Sequence, residues 1–506
     1  MRRVMSWLAL AGICAGLVAV TARFGSFVAG GSDSSCYVLQ AERWASGRPL
    51  ESDRLAQQAS WPGAALAFAP AGHVPSTTVP GAIVPICPSG LSMFMALFLA
   101  AGGRAAMFLV FPFFGVVLVW ATFLLGARLH AGVALASALV IASNPIVLYQ
   151  VVQPMSDVPA ASLWTLTLAV ATGPRTRGAL LAGVCAAAAI LIRPNLLPLG
   201  VVVGVYLLLR PDGSWRQRLQ QAGAYAAPCA VGCVAVALIH AQFYGSPLAS
   251  GYDAAGDLFA IAHVPTNAWR YGAGVLEAHT PLVLLAVAAP FLLPRAFAVL
   301  CLAFAGVTLG VYLPFLVVAD WSYVRYLLPA MPALTVLLLG VVAAMVQRVS
   351  ARQVSAVIGA AAVALAVAGV WTARRHQAFA LRQLESVYAS TGDAVARRLP
   401  ANALVITSRF SGSVRYYAGR ETLVWDVLDP ASLERAVMFA RGQGLEPFFL
   451  LDSGEEEGFR ARFAGSDLAR LDWPPQFEMP PRVRVYDPAA RERYLRGERL
   501  VTEYVR

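Results

Sequence analysis

The stretch Leu191-Ile192-Arg193-Pro194-Asn195 divides an apolar region in two, and the fold depends on what the chain does there. Read through, residues 178–209 form one long helix. Read as a break, they form two segments, 178–192 and 195–209, that return the chain to the side it came from. At 1.5 Å rise per residue, 178–192 reaches only about 22 Å, short of a hydrocarbon core of about 30 Å. Two features favour the break all the same. Pro194 disfavours helical backbone at Arg193. A single helix would also carry Arg210, Arg216 and Arg218 across the membrane and reverse every later loop.

Working outward, further apolar runs occupy 4–22, 108–127, 131–149, 159–173, 222–241, 280–294, 296–318, 327–346 and 354–371, which makes about 11 transmembrane helices. Arg128, Arg175 with Arg177, Arg210 with Arg216 and Arg218, Arg295, and Arg348 with Arg352 fall on the side of Arg2 and Arg3. The positive-inside rule makes that side, and the N-terminus, cytoplasmic. An odd number of spans then puts residues 372–506 outside. The run after Arg3 is long enough to span, and Phe24-Gly25-Ser26 offers no small-x-small cleavage site, so a first helix is preferred to a signal peptide. The short stretch Gly90–Ala101, behind Pro85 and Pro88, reads as an interfacial or re-entrant helix.

Composition agrees with a membrane body. Of 506 residues 58% are hydrophobic and 13% charged, which excludes a soluble single-domain enzyme and a disordered chain. The net charge of +11 would suit a nucleic-acid partner until the charges are mapped. All basic residues are arginine, and from residue 372 onward 20 of them stand beside 18 acids, whereas the first 371 residues hold 19 arginines and only 10 acids. The charge is a topology signal, and no nucleic-acid partner is expected. The chain divides into a transmembrane catalytic body, 1–371, with a first outer loop at 24–90, and a soluble domain, 372–506. Strands are expected at 403–408, 422–427, 447–452 and 482–487 and helices at 379–398, 431–443 and 455–464, an extracytoplasmic α/β domain.

The acids of the body are Asp33, Glu42, Glu51, Asp53, Asp157, Asp212, Asp253, Asp257, Glu277 and Asp320, and only Asp212 is cytoplasmic on this map. Ionisable groups at membrane depth are costly and usually functional, so this distribution points to chemistry at the outer boundary. Asp33 sits in Gly30-Gly31-Ser32-Asp33-Ser34-Ser35-Cys36-Tyr37, a loop able to hold one carboxylate, or alternatively caps a helix starting near Ser35. Asp157, in Gln153-Pro154-Met155-Ser156-Asp157-Val158-Pro159, is the only charge between Leu129 and Gly173, and the same choice between partner and cap applies. Arg193 and Arg325, the latter in Trp321-Ser322-Tyr323-Val324-Arg325-Tyr326, lie at outer ends of spans. Their forked donors suit phosphate oxygens, and snorkelling to headgroups is the competing reading. Tyr37, Tyr252, His263 and Tyr326 are candidate pocket residues. The six histidines show no metal spacing, so no dedicated metal site is expected. Of seven cysteines only Cys36 and Cys87 lie outside spans, and they are a candidate disulfide.

Taken together, the Asp33 loop, the outer Asp157, the Arg193-Pro194 turn and the Arg325-Tyr326-Leu327-Leu328-Pro329 segment resemble the GT-C glycosyltransferases. The likeness is to the polyprenyl-phosphate-sugar-dependent branch that includes protein O-mannosyltransferases and the lipid A aminoarabinose transferase, over roughly residues 1–346. The resemblance implies an inverting transfer of a hexose or pentose from a polyprenyl-phosphate donor to a lipid, glycan or protein acceptor on the outer face of the cytoplasmic (inner) membrane. It assigns Asp33 as general base, Asp157 as the second outer acid, and Arg193 and Arg325 to the donor phosphate. Many members carry two adjacent acids in the first loop. Here Ser34 follows Asp33, so a Mg or Mn cation would need Asp33 and Asp157 jointly. The competing class is a transporter or lipid flippase, which should carry ionisable groups near mid-membrane on several helices.

Overall fold

The computed structural model describes residues 2–173, 175–252, 258–346 and 350–505. Asp253, Asp257 and Arg348 lie outside the described residues, as do the side chains of Arg2 and Arg3. The chain folds into two compact units. One comprises 1–27, 88–239 and 252–382, the other 28–87, 240–251 and 383–506.

The first unit is helical. Six helices are long and apolar enough to cross a membrane: Val4–Phe24, Ser89–Met107, Trp215–Tyr244, Arg295–Tyr312, Trp321–Met345 and Arg352–Arg375. A seventh span results if Ile261–His279 and Pro281–Leu292, bent by 98°, are taken together. Shorter apolar helices cover Val110–Gly126, Ala131–Ala142, Asp157–Ala171, Thr176–Ile192 and Pro194–Leu209. The chain is thus a multi-pass membrane protein.

Three segments differ from the expected elements. The stretch 90–101 belongs to a longer helix, Ser89–Met107, because backbone that turns non-helical at Gly102 and Gly103 resumes the helix after them. Residues 264–279, expected in an outer loop, form a helix begun by Pro265 in its first turn. The run 131–149 is cut after Ala142, where the Asn144 side chain accepts from the Ile146 and Val147 amides and Pro145 starts a new helix.

The break at Arg193 is a true reversal. Helix Thr176–Ile192 ends there, Pro194–Leu196 make a short 3-10 turn, and Leu197–Leu209 follow. Arg210, after the second helix, donates to the carbonyl of Gly173, before the first, at 2.8 Å. A continuous helix would separate these residues by about 55 Å. Tyr225 of the next helix ties the hairpin together, its hydroxyl donating to Gly200 O at 3.1 Å. Arg128 donates to Ala169 O at 2.8 Å, so Arg128 and Arg210 share one end of the helices. Asp157 and Arg193 occupy the opposite end.

The second unit is built on a six-stranded sheet of order β5-β4-β6-β8-β7-β9, from β4 (Ala403–Ile406), β5 (Glu421–Leu423), β6 (Glu446–Asp452), β7 (Phe477–Met479), β8 (Val483–Tyr486) and β9 (Glu503–Tyr504). Strands β5, β4 and β6 run parallel, and β8 joins β6 antiparallel. Helices Leu381–Arg398, Leu433–Gly442 and Glu455–Arg462 fall where the periodicity places them. One face of the sheet buries Leu404, Ile406, Phe449 and Leu451 with Phe459 and Phe463, and Trp61 and Phe68 of the first loop belong to this same core. Burying one such aromatic contributes on the order of 1.5–3 kcal/mol. The first loop adds its own sheet of order β1-β3-β2, formed by β1 (Glu51–Ser52), β2 (His73–Pro75) and β3 (Ala82–Pro85). Cys36 and Cys87 are bonded, their Cα atoms 6.4 Å apart, and close this loop. Asp53 anchors it further, accepting from the Leu55 and Ala56 amides and pairing with Arg415 at 3.3 Å.

Candidate active site

Asp157 is the first residue of helix Asp157–Ala171 and is 1% exposed. A carboxylate there gains from the helix dipole, but that term of about 0.3–1 kcal/mol does not offset the cost of burying a charge. The larger compensation comes from Arg193, whose Nη2 lies 2.8 Å from Asp157 Oδ1. Ser156, at the N-cap, places no side-chain bond on the helix amides, and its hydroxyl instead accepts from Arg193 Nε at 3.1 Å. The Arg193 side chain, 11% exposed, reaches inward rather than snorkelling. Helix termination before Pro194 frees it to do so, since the C-cap backbone at Arg193 is already non-helical.

Tyr312 completes the fixation. Its hydroxyl accepts from Arg193 Nη1 at 3.3 Å and from Asn195 Nδ2 at 2.9 Å, and its ring stacks on Tyr326 at 4.6 Å and 8°. Arg193 and Arg325 both lie over the Tyr326 ring, at 5.4 and 5.5 Å from its centroid. Arg325 also covers Tyr323 at 4.8 Å and points Nη1 at Met155 Sδ, 3.9 Å away. Two guanidiniums, one carboxylate and a pair of stacked tyrosines therefore converge at one end of the helices. Charge-assisted donors held in this way need no reorganisation to meet an incoming anion.

The remaining expected residues distribute as follows. His263 ends the 3-10 turn Ile261–His263, with Nδ1 3.1 Å from Pro314 O, and Phe315, next to that carbonyl, meets Tyr326 edge-on at 5.5 Å. Tyr252 is 47% exposed and lies in the first unit. Asp33 and Tyr37 belong to the second unit. Asp33 opens helix Asp33–Ala45, whose N-cap is Ser32, so the helix begins two residues earlier than Ser35, and Tyr37 is buried within it. Ser156, Asn195, Tyr312 and Tyr323 were not legible as site residues. Only the tyrosines carried a signal, since each is a polar-tipped ring beside a span end that bears or faces an arginine. A further cluster closes the same end: Trp321 stacks on His376 at 3.8 Å, and His376 pairs with Glu277 at 2.9 Å.

Asp157 faces Arg193 rather than a second carboxylate. Its charge is already met by a guanidinium, and among the described residues no group of three His, Cys, Asp or Glu side chains is placed to hold a metal.

A multi-pass helical unit joined in sequence to an α/β unit is a fold that this chain shares with several solved structures. ArnT from Cupriavidus metallidurans bound to undecaprenyl phosphate superposes over 90% of this chain and 94% of its own, with a TM-score of 0.59 and 13% identity. The oligosaccharyltransferase AglB from Archaeoglobus fulgidus, in a complex with an inhibitory peptide and a dolichol-phosphate, superposes over 90% of this chain and 70% of its own, at TM-score 0.51 and 13% identity. No protein-family signature and no curated protein matches the sequence.

Proposed function

We propose that this chain is an inverting glycosyltransferase that moves a sugar from a polyprenyl-phosphate donor to a hydroxyl acceptor on the outer face of the cytoplasmic membrane. The observation that carries the reading is the Asp157–Arg193–Tyr312 cluster with Arg325, set at one helix end of a GT-C fold. Two structures of that fold are described with undecaprenyl phosphate and dolichol-phosphate bound, which supports a lipid-phosphate donor. The Cys36–Cys87 bond supports an outer location for the second unit, since such bonds persist in oxidising compartments. The arginines at the other end support a cytoplasmic side there.

In this mechanism the Asp33 carboxylate takes the proton of the acceptor hydroxyl as that oxygen bonds to the anomeric carbon. The bond from that carbon to the phosphate oxygen breaks, its electron pair leaves with polyprenyl phosphate, and the configuration inverts. Arg193 and Arg325 stabilise the charge on the departing phosphate. Asp157 and Tyr312 hold Arg193 in place. Tyr326 presents its ring beside both cations, and Tyr37, Tyr252 and His263 are assigned roles in contacting substrate. No step passes through a metal.

The test is incubation of the purified chain with a polyprenyl-phosphate sugar and an acceptor extract, following polyprenyl-phosphate release and product anomeric configuration. Release that depends on acceptor, with inversion, supports the reading. Retention of configuration, or movement of the lipid across a vesicle bilayer without sugar transfer, contradicts it.

A further inference from the structure

The end of the helices opposite Asp157 carries two adjoining cavities of opposite character. One, of about 650 Å³, is lined by Arg175, Arg177, Arg210, Asp212 and Gln221. The other, of about 580 Å³, runs between helices Leu197–Leu209 and Arg295–Tyr312 and is lined by Val201, Val205, Leu209, Arg295 and Val299. Arg210 lines both. It is 4% exposed, spends its Nη atoms on Gly173 O and Gln221 Oε1, and leaves Nε without a hydrogen-bond partner among the described residues. A buried guanidinium with an unmet donor is costly unless an acceptor arrives.

We propose that this amphipathic cleft binds one anionic phospholipid of the surrounding membrane, its phosphodiester at Arg175, Arg177 and Arg210 and one acyl chain in the groove beside Val205. Charge and shape agree: three arginines against the single carboxylate of Asp212 leave a positive site for a phosphodiester. The apolar slot begins where that site ends, at Arg210 itself. Basic pockets between transmembrane helices suit such headgroups, and arginine forks match phosphate oxygens. Arg175, Arg177 and Arg295 are exposed and free to engage a headgroup.

The test uses the full chain, delipidated in detergent and titrated with phosphatidylglycerol, phosphatidylcholine or inorganic phosphate, with binding read by native mass spectrometry. Phosphatidylglycerol should bind about tenfold or more tighter than phosphatidylcholine. Arg175→Gln with Arg177→Gln, both on the surface, should remove most of that preference. Val205→Trp should weaken the lipid and leave inorganic phosphate unaffected. Equal retention of the two lipids, an unaltered preference in the double arginine variant, or inorganic phosphate binding as tightly as the lipid would overturn the proposal.

Discussion

The Asp157 carboxylate and the Arg193 guanidinium meet at 2.8 Å, the former at the start of one helix and the latter past the end of the next. The pair fastens the helix beginning at Asp157 to the hairpin turn at Arg193. Because Asp157 is buried and Arg193 largely so, removing either leaves a poorly compensated charge. Asp157→Asn and Arg193→Gln should each lower stability by about 3–5 kcal/mol, and the double variant should cost less than their sum. Denaturant or thermal unfolding of the purified variants measures the coupling, and strict additivity would mean the pair is not a unit.

Arg193 and Arg325 are expected to differ from Tyr312 in how they fail. Losing a guanidinium that meets the leaving phosphate should cut the transfer rate by about 10²–10³ for Arg193→Gln or Arg325→Gln. Tyr312→Phe removes only a hydroxyl that locates Arg193 and Asn195, while Arg193 keeps Asp157 and Ser156 as partners, so a smaller change of about twofold to tenfold is predicted. A Tyr312→Phe loss equal to that of Arg193→Gln would place the hydroxyl on the substrate instead.

The disulfide closes a separation of 51 residues around the first loop. Cys36→Ser with Cys87→Ser should destabilise the second unit by about 2–4 kcal/mol, with fraying of the loop that carries Trp61 and Phe68. Limited proteolysis within residues 46–81 reports it, and cleavage kinetics equal to those of the unaltered chain would show that the core contacts suffice.

A pH dependence follows from Glu455. Burial pushes its carboxyl up to about 7, although the Arg409 and Asp452 amides, each 3.2 Å away, pull it back. A carboxyl whose folded value lies above its unfolded one gives full stabilisation below the unfolded value of about 4.5, lost as pH rises through about 7. The second unit should therefore melt at progressively lower temperature between these limits, and Glu455→Gln should flatten that slope. A slope unchanged by the substitution assigns the effect elsewhere.

Much of this architecture was legible because single charges in apolar surroundings are informative. Asp157 and Arg193 stood out as lone ions beside prolines, and each proved to be the other's partner. After residue 400 the strands Ala403–Ile406, Glu446–Asp452 and Val483–Tyr486 and the helices Leu433–Gly442 and Glu455–Arg462 lie where they were expected, whereas the strand expected at 422–427 stops at Leu423 and the short strands Phe477–Met479 and Glu503–Tyr504 were not foreseen. Other features carried no periodic signal. Ser156 and Tyr312 are unremarkable residues at helix ends, chosen by where Arg193 points. The helix from Ser89 does leave helical geometry at Gly102 and Gly103, and its resumption as far as Met107 has no sequence signal beyond a few apolar residues. Trp61 and Phe68 sit in a loop rich in proline and glycine, and their place in a sheet core formed over 300 residues later depends on a tertiary contact that no local pattern encodes.

In the proposed mechanism Asp33 deprotonates an acceptor that attacks a lipid-linked sugar. The most direct measurement is single-turnover sugar transfer from a polyprenyl-phosphate donor by the purified chain and by its Asp33→Asn variant, at equal donor occupancy. The account predicts a loss of about 10²–10⁴ in the transfer rate with donor binding intact, as expected for removal of a general base. A transfer rate equal to that of the unaltered chain would contradict it.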